Sequence, residues 1–191
     1  MRGMEPPRQY FGNHLLIALP SLRDRYFERS VILICQHDDD GAMGLVINRA
    51  SEYTAGEILR QMGIASTDPA LQSKPVLAGG PVHPERGFVL HDGSQPYESS
   101  LALGDDLYLT TSRDVLEAMA RGEGPRQTLL ALGCAGWGAG QLEQELLDDC
   151  WLLVPSRHDV LFQLPLAQRW QAAAGSIGID LLNHAGHSGH A

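Results

Sequence analysis

The chain has 191 residues, enough for one domain with a sizeable buried core. Fourteen basic and 23 acidic residues leave a formal charge of −9, which disfavours non-specific binding to a phosphate backbone. The three cysteines, Cys35, Cys134 and Cys150, form no C-x-x-C and fit a reducing compartment better than a disulfide framework. No apolar run approaches the roughly 20 residues of a membrane span, and the opening MRGMEPPRQYFGN lacks a signal-peptide core. The expectation is a cytoplasmic protein with no membrane contact.

Residues 1–10 carry two prolines and mixed charge, and read as a loose arm. Residues 14–19 are an apolar strand stopped by Pro20. Residues 31–35 and 43–47 are two more strands, and Asp38-Asp39-Asp40-Gly41 between them is a hairpin signal. Thr54 and Glu57 have capping-box spacing, so a helix runs from there to about Met62 and stops at Gly63. Short strands at 76–78 and 88–90 flank a Gly79-Gly80-Pro81 turn. A strand at 106–110 leads to a helix capped by Thr111 or Ser112, with Glu117 and Arg121 at ion-pairing distance and Gly122 as its stop. A strand at 128–132, a glycine-rich turn at 133–140, a helix at 141–148 and a strand at 151–154 follow. Residues 156–162 and 165–174 read as helical, and the last dozen as frayed. Short strands outnumber helices without strict alternation, which predicts an α+β fold.

Several stretches suggest chemistry and are weighed in turn. The segment LGCAGWGAGQLEQEL has the glycines of a phosphate loop but not its Lys-Ser/Thr, and its glycine spacing is not that of a dinucleotide fingerprint. Glu143 and Glu145 in the helix's first turn would repel a phosphate. The stretch therefore reads as a tight turn around Trp137. Cys35 and His37, two apart on one strand, would share a face, the minimum for a thiol with its base; the VILIC context favours a buried inert thiol. Cys134 precedes a helix N-terminus, which can depress a thiol pKa. His184, His187 and His190 recur every three residues in a glycine-rich tail and suit adventitious metal only. No G-x-S-x-G is present. Residues 55–73 resemble a helix-turn-helix, but Asp68 and Pro69 stand where a recognition helix needs basic and amide groups.

The segments HLLIALPSL, FERSVILICQHDDDGAMGLVIN, GGPVHPERGFVLH, LTTSRDVLEA and GWGAGQLEQELLDDCWL, with the ending RWQAAAGSIGIDLL, resemble the AlgH/YqgE family of bacterial proteins. Cys134 stands where that pattern has an aromatic, and His184 and His187 are additions to it. The resemblance implies several coiled antiparallel or mixed β-sheets with flanking helices, including a small SH3-like barrel, in one domain over 11–182. An arm at 1–10 and a His/Gly-rich tail at 183–191 complete the chain. It implies no known activity and no cofactor; the AlgH name reflects a proposed role in transcriptional control of alginate production in pseudomonads.

The expected function is that of a non-catalytic regulatory or binding protein acting through a protein or small-molecule partner, without direct nucleic-acid binding. The candidate surface joins the residues that folding explains least: Arg29, Ser30, Asn48, Gly79, Gly80, Pro81, Arg86, Thr111, Ser112, Asp114, Trp137, Gln141 and Glu143. They are expected to converge. The rivals are an enzyme or ligand pocket using Cys35/His37 or the 133–141 glycine loop, and a direct DNA-binding regulator.

Overall fold

The unbroken apolar runs at 15–18 and 31–35 demand a sheet covered on both faces. The computed structural model describes residues 10–20, 22, 24–93, 97–104 and 106–175; most of the expected arm, and the tail with His184, His187 and His190, lie outside the described residues. In chain order the elements are β1 (His14–Ala18), β2 (Val31–Asp38), β3 (Gly41–Val46), β4 (Ala50–Thr54), α1 (Ala55–Gln61), α2 (Pro69–Gln72), β5 (Pro75–Ala78), β6 (Val82–His91), β7 (Ser100–Gly104), β8 (Leu107–Thr110), α3 (Arg113–Ala120), β9 (Thr128–Gly138), α4 (Gln141–Leu147), β10 (Trp151–Pro155), a π-helical turn (Asp159–Gln163) and α5 (Leu166–Gly175). The fold is α+β: a curled, mostly antiparallel sheet forming a half-barrel, with helices against it.

Among the described residues the strands run β10-β1-β2-β3-β9-β6-β8-β7, and β5 and β4 branch from β9. Strand β9 is the seam. Its first half pairs with β6 on one edge and, in parallel, with β5 on the other. Its second half pairs with β3, from Ala135↔Gly44 to Gly138↔Gly41. The glycine-rich stretch expected to be a turn is therefore mostly strand, and only Ala139 and Gly140 turn the chain into α4. Close backbone approach explains Gly133 and, opposite it, Gly80. A Cβ on Gly133 would overlap the Gly80 carbonyl, and one on Gly80 would overlap the Cys134 backbone.

Side chains on the two sheet faces enter different cores. Leu15, Ile17, Leu33, Cys35, Phe88, Leu90, Leu109 and Trp170 share the first. Leu16, Ile32, Ile34, Ala135, Trp137, Leu142 and Trp151 share the second, beneath α4. Leu59, Val76, Val89, Val115, Met119 and Leu130 form a third, where α1 and α3 cover β5, β6 and β9. Each fully buried Leu or Ile contributes about 1.5–3 kcal/mol.

The expected strand at 88–90 is the end of the longer β6, and the two short strands β4 and β7 have no counterpart among the expected elements. The Thr54/Glu57 capping box is formed. Glu117 pairs with Arg113 at 2.7 Å, not with Arg121. Arg121 is the C-cap residue of α3 and turns to Glu123 instead, at 3.1 Å. The helix expected at 156–162 is the π-helical turn, closed by an extended Leu164 ahead of Pro165.

Candidate functional site

The thirteen candidate residues occupy three neighbourhoods rather than one surface. In the first, Asn48 ties β2 to the chain after β3: its Nδ2 donates to the Arg29 carbonyl at 2.8 Å and its Oδ1 accepts from Val31 N at 2.9 Å. Ser30 is fully buried and its hydroxyl donates to the Phe27 carbonyl at 2.6 Å. The Arg29 guanidinium lies 5.3 Å from the Trp170 ring centroid. Folding accounts for all three.

The second neighbourhood surrounds α4. Glu145 accepts from Trp137 Nε1 at 3.2 Å, from Trp151 Nε1 at 2.9 Å and from Gln141 Nε2 at 2.9 Å. Gln141 Oε1 in turn accepts from Gly138 N at 2.9 Å, closing the turn before the helix. Glu143 pairs with His37 Nε2. His37 Nδ1 accepts from Phe11 N at 3.0 Å, and the ring stacks on Phe11 at 5.2 Å. These bonds hold the imidazole as its Nε2–H tautomer. A hollow of about 640 Å³ adjoins this region, walled by Asp38, Asp39 and Glu143 over Leu146 and Leu147. Three carboxylates at that wall oppose a phosphate.

Cys35 and His37 do not share a face. The β2–β3 register shifts between Ile34 and Gln36, leaving Cys35 opposite no residue of β3. Such a bulge reverses the alternation beyond it. Cys35 faces the first core, while His37 lies over α4 with Phe11 and Glu143. Burial, and then the neighbouring Cys134, pushes the Cys35 thiol far above its ordinary value. Burial raises the Cys134 thiol as well, against the opposing charge of Arg86. Neither is an activated nucleophile.

The third neighbourhood holds Gly79, Gly80, Pro81, Arg86, Thr111, Ser112 and Asp114. Gly79 spans the branch point: its N donates to Leu132 O at 2.8 Å and its carbonyl accepts from Val46 N at 2.9 Å. Gly80 (φ 154°) and Gly133 (φ 76°) face each other there. Beyond it the β6–β9 register jumps from Val82↔Cys134 to Gly87↔Leu132, so residues 83–86 stand out from the sheet. The Ser112 hydroxyl donates to Asp114 Oδ1 at 2.5 Å and accepts from Ser99 N at 3.0 Å; Asp114 Oδ2 accepts from Glu98 N at 2.8 Å. Burial would raise the Asp114 carboxyl, but bonds from the Ser112 hydroxyl and the Glu98 and Val115 amides outweigh it and hold it below its ordinary value.

Two clefts open beside this set. The larger, about 630 Å³, lies between α1, α3 and the sheet; Ile58, Met62, Val89, Leu116 and Leu130 line it, with Tyr53 and Arg113 among its polar groups. Arg113 is preset by bonds to Glu117 and to the Met62 carbonyl, both 2.7 Å. The second, about 550 Å³, opens on the face of the first core beneath residues 83–86, and the two share Phe88 and Thr111. Tyr53, Met62 and Leu116 were not singled out from the sequence as site residues. Their helical or strand spacing is that of ordinary core residues, and only the helix placement exposes them to a common void.

An AlgH-like family model matches residues 15–182. A UPF0301 protein of Stenotrophomonas maltophilia strain K279a is 62% identical over 179 residues, covering 94% of this chain and 95% of that protein. One from Xanthomonas campestris pv. campestris strain B100 is 63% identical over 180 residues, with 94% and 96% covered. Among solved structures, the solution structure of the AlgH protein from Pseudomonas aeruginosa aligns with a TM-score of 0.79 at 43% identity, covering 98% of this chain and 99% of that one. A crystal structure from Corynebacterium diphtheriae aligns with a TM-score of 0.73 at 22% identity over 95% and 94% of the two chains, a likeness of fold alone.

Proposed function

We propose that this chain, which belongs to the AlgH-like family, is a non-catalytic binding protein whose principal ligand site is the cleft between α1, α3 and the sheet. The observation that carries this reading is the cleft's composition: about 630 Å³, mostly apolar walls, and a few preset polar groups such as Arg113. That is the make-up of a small-molecule site. The separation of Cys35 from His37, and the raised thiols, weigh against the enzymatic rival. Regulation, in this reading, is exercised through what is bound and not by reading DNA. The charge of −9 supports that, as does the four-residue α2 at the place of a recognition helix.

The test is titration of the full chain with 8-anilinonaphthalene-1-sulfonate, an apolar aromatic anion, followed by amide NMR shifts and thermal melting. The expected result is saturable binding with shifts at Ile58, Met62 and Leu116, weakened by Leu116→Glu. At a hundredfold excess over Kd it should add about 2.7 kcal/mol of stability. Shifts confined to the acidic hollow beside Glu143, or no saturable binding, would overturn the reading.

A further inference from the structure

The second cleft gathers polar side chains that the fold itself does not use. Around α4, the Trp137, Gln141 and Trp151 donors are all taken by neighbours. At the start of α3, Ser112 and Asp114 are spent on the 98–99 backbone. In the second cleft, by contrast, the side chains of Gln36, His83, Arg86, Glu98, Ser99 and Thr111 make no hydrogen bond or ion pair among the described residues. They come from separate places: the end of β2, the protruding 83–86 segment, the turn before β7, and the residue after β8. The curl of the sheet brings them together over Met43, Phe88, Leu101 and Leu109.

The charges of the cleft are paired in kind but not in contact. Arg86 has no carboxylate partner among the described residues; its guanidinium is held 5.4 Å from the Phe88 ring centroid. That aromatic support presets the fork for a carboxylate and reduces the ordering cost of binding. Glu98 has its backbone N fixed by Asp114, while its carboxylate is left to the cleft. His83 is locked at φ 46° at the head of the protruding segment. One cation, one carboxylate and an apolar floor in about 550 Å³ match a molecule carrying both charges and an apolar body.

We propose that the mouth of the half-barrel beneath residues 83–86 is a second binding site, for small zwitterions of the apolar amino-acid or dipeptide class. Arg86 takes the carboxylate, Glu98 takes the ammonium, and the side chains of the ligand lie on Phe88, Leu101 and Leu109. Gln36, Ser99 and Thr111 supply hydrogen bonds to the peptide group. This site stands on a different cleft from the one assigned above, so either can fail without the other.

The experiment is an amide-shift titration of the full chain with leucyl-leucine, N-acetyl-leucyl-leucine and leucyl-leucinamide. The free dipeptide should give saturable shifts at Leu101, Leu109 and Cys134, and each capped form should bind about tenfold or more weakly. Arg86→Gln should abolish the preference for a free carboxylate, so that the dipeptide and its amide bind alike. Glu98→Gln should abolish the preference for a free ammonium. Both residues are exposed, and an unchanged melting temperature will show that the variants fold. Equal binding of capped and free forms by the unmodified chain would overturn the proposal. So would shifts confined to the α1–α3 cleft, or no saturable response at millimolar dipeptide.

Discussion

Replacing Gly133 by alanine tests the seam between the two halves of the sheet. The added methyl meets two separate penalties. At φ 76° the backbone is left-handed, which costs an alanine about 1–2 kcal/mol. The new Cβ also overlaps the Gly80 carbonyl and comes 3.2 Å from Pro84 Cα. Both neighbours are backbone, so no rotamer change relieves the contact, and forced shifts of this kind cost about 1–3 kcal/mol. The sum is about 2–5 kcal/mol, which for a chain of this size lowers Tm by roughly 4–20 °C. Gly63→Ala is the matched control: its φ is 71°, but nothing lies within 4 Å of its would-be Cβ. It should show the dihedral penalty alone. Urea melts of both variants at one temperature give the difference directly. If Gly133→Ala costs no more than Gly63→Ala, the close approach at the branch point is not there and the account of β9 as a seam fails.

Two further outcomes follow from the site geometry. Cys35 should resist iodoacetamide near pH 7 in the native protein and label only after unfolding, since burial holds it as the neutral thiol; native-state labelling traced to Cys35 by peptide mapping would contradict this. Asp114 has a lowered folded-state pKa, so its stabilisation is present above the ordinary carboxylate range and is lost as pH falls through the folded value. Asp114→Asn should therefore destabilise by about 1–3 kcal/mol at pH 7 and by progressively less below about pH 4, read from denaturant melts. A gap that is constant with pH would assign the loss to packing instead of charge.

Much of the fold was legible because local chemistry and tertiary context agree. The VILIC run, the Asp-Gly hairpin and the Thr54/Glu57 box each form what their residues favour. The failures share one cause. Glycines at 133, 136 and 138 read as a turn because glycine is a turn residue; in the fold all three lie in β9, and Gly133 answers to the Gly80 backbone, far off in the chain. The Cys35/His37 alternation fails through a single-residue bulge, which leaves no mark in composition. The candidate list picked residues that folding seemed not to need. Asn48 and Ser112 prove to be needed, through hydrogen bonds that only the folded chain brings within reach, and Gln141 through a local bond that closes the turn before α4. Arg86 and Thr111 are the members that the fold leaves uncommitted. Glu98 and His83 join them by topology, which spacing along the chain cannot report.

The position of β9 also dictates an order of events. All three of its partners, β3, β5 and β6, precede it in the chain. During synthesis those strands emerge first and must wait with open edges until residues 128–138 arrive. The last strand then closes on the first, Pro155 against His14. Such distant pairings carry a high loop-closure cost before any contact repays it. Assembly should therefore be slow and late, completed only after β10 has been made. Chains interrupted before β9 should be the aggregation-prone species, because they present unpaired apolar strands with nothing yet made to cover them.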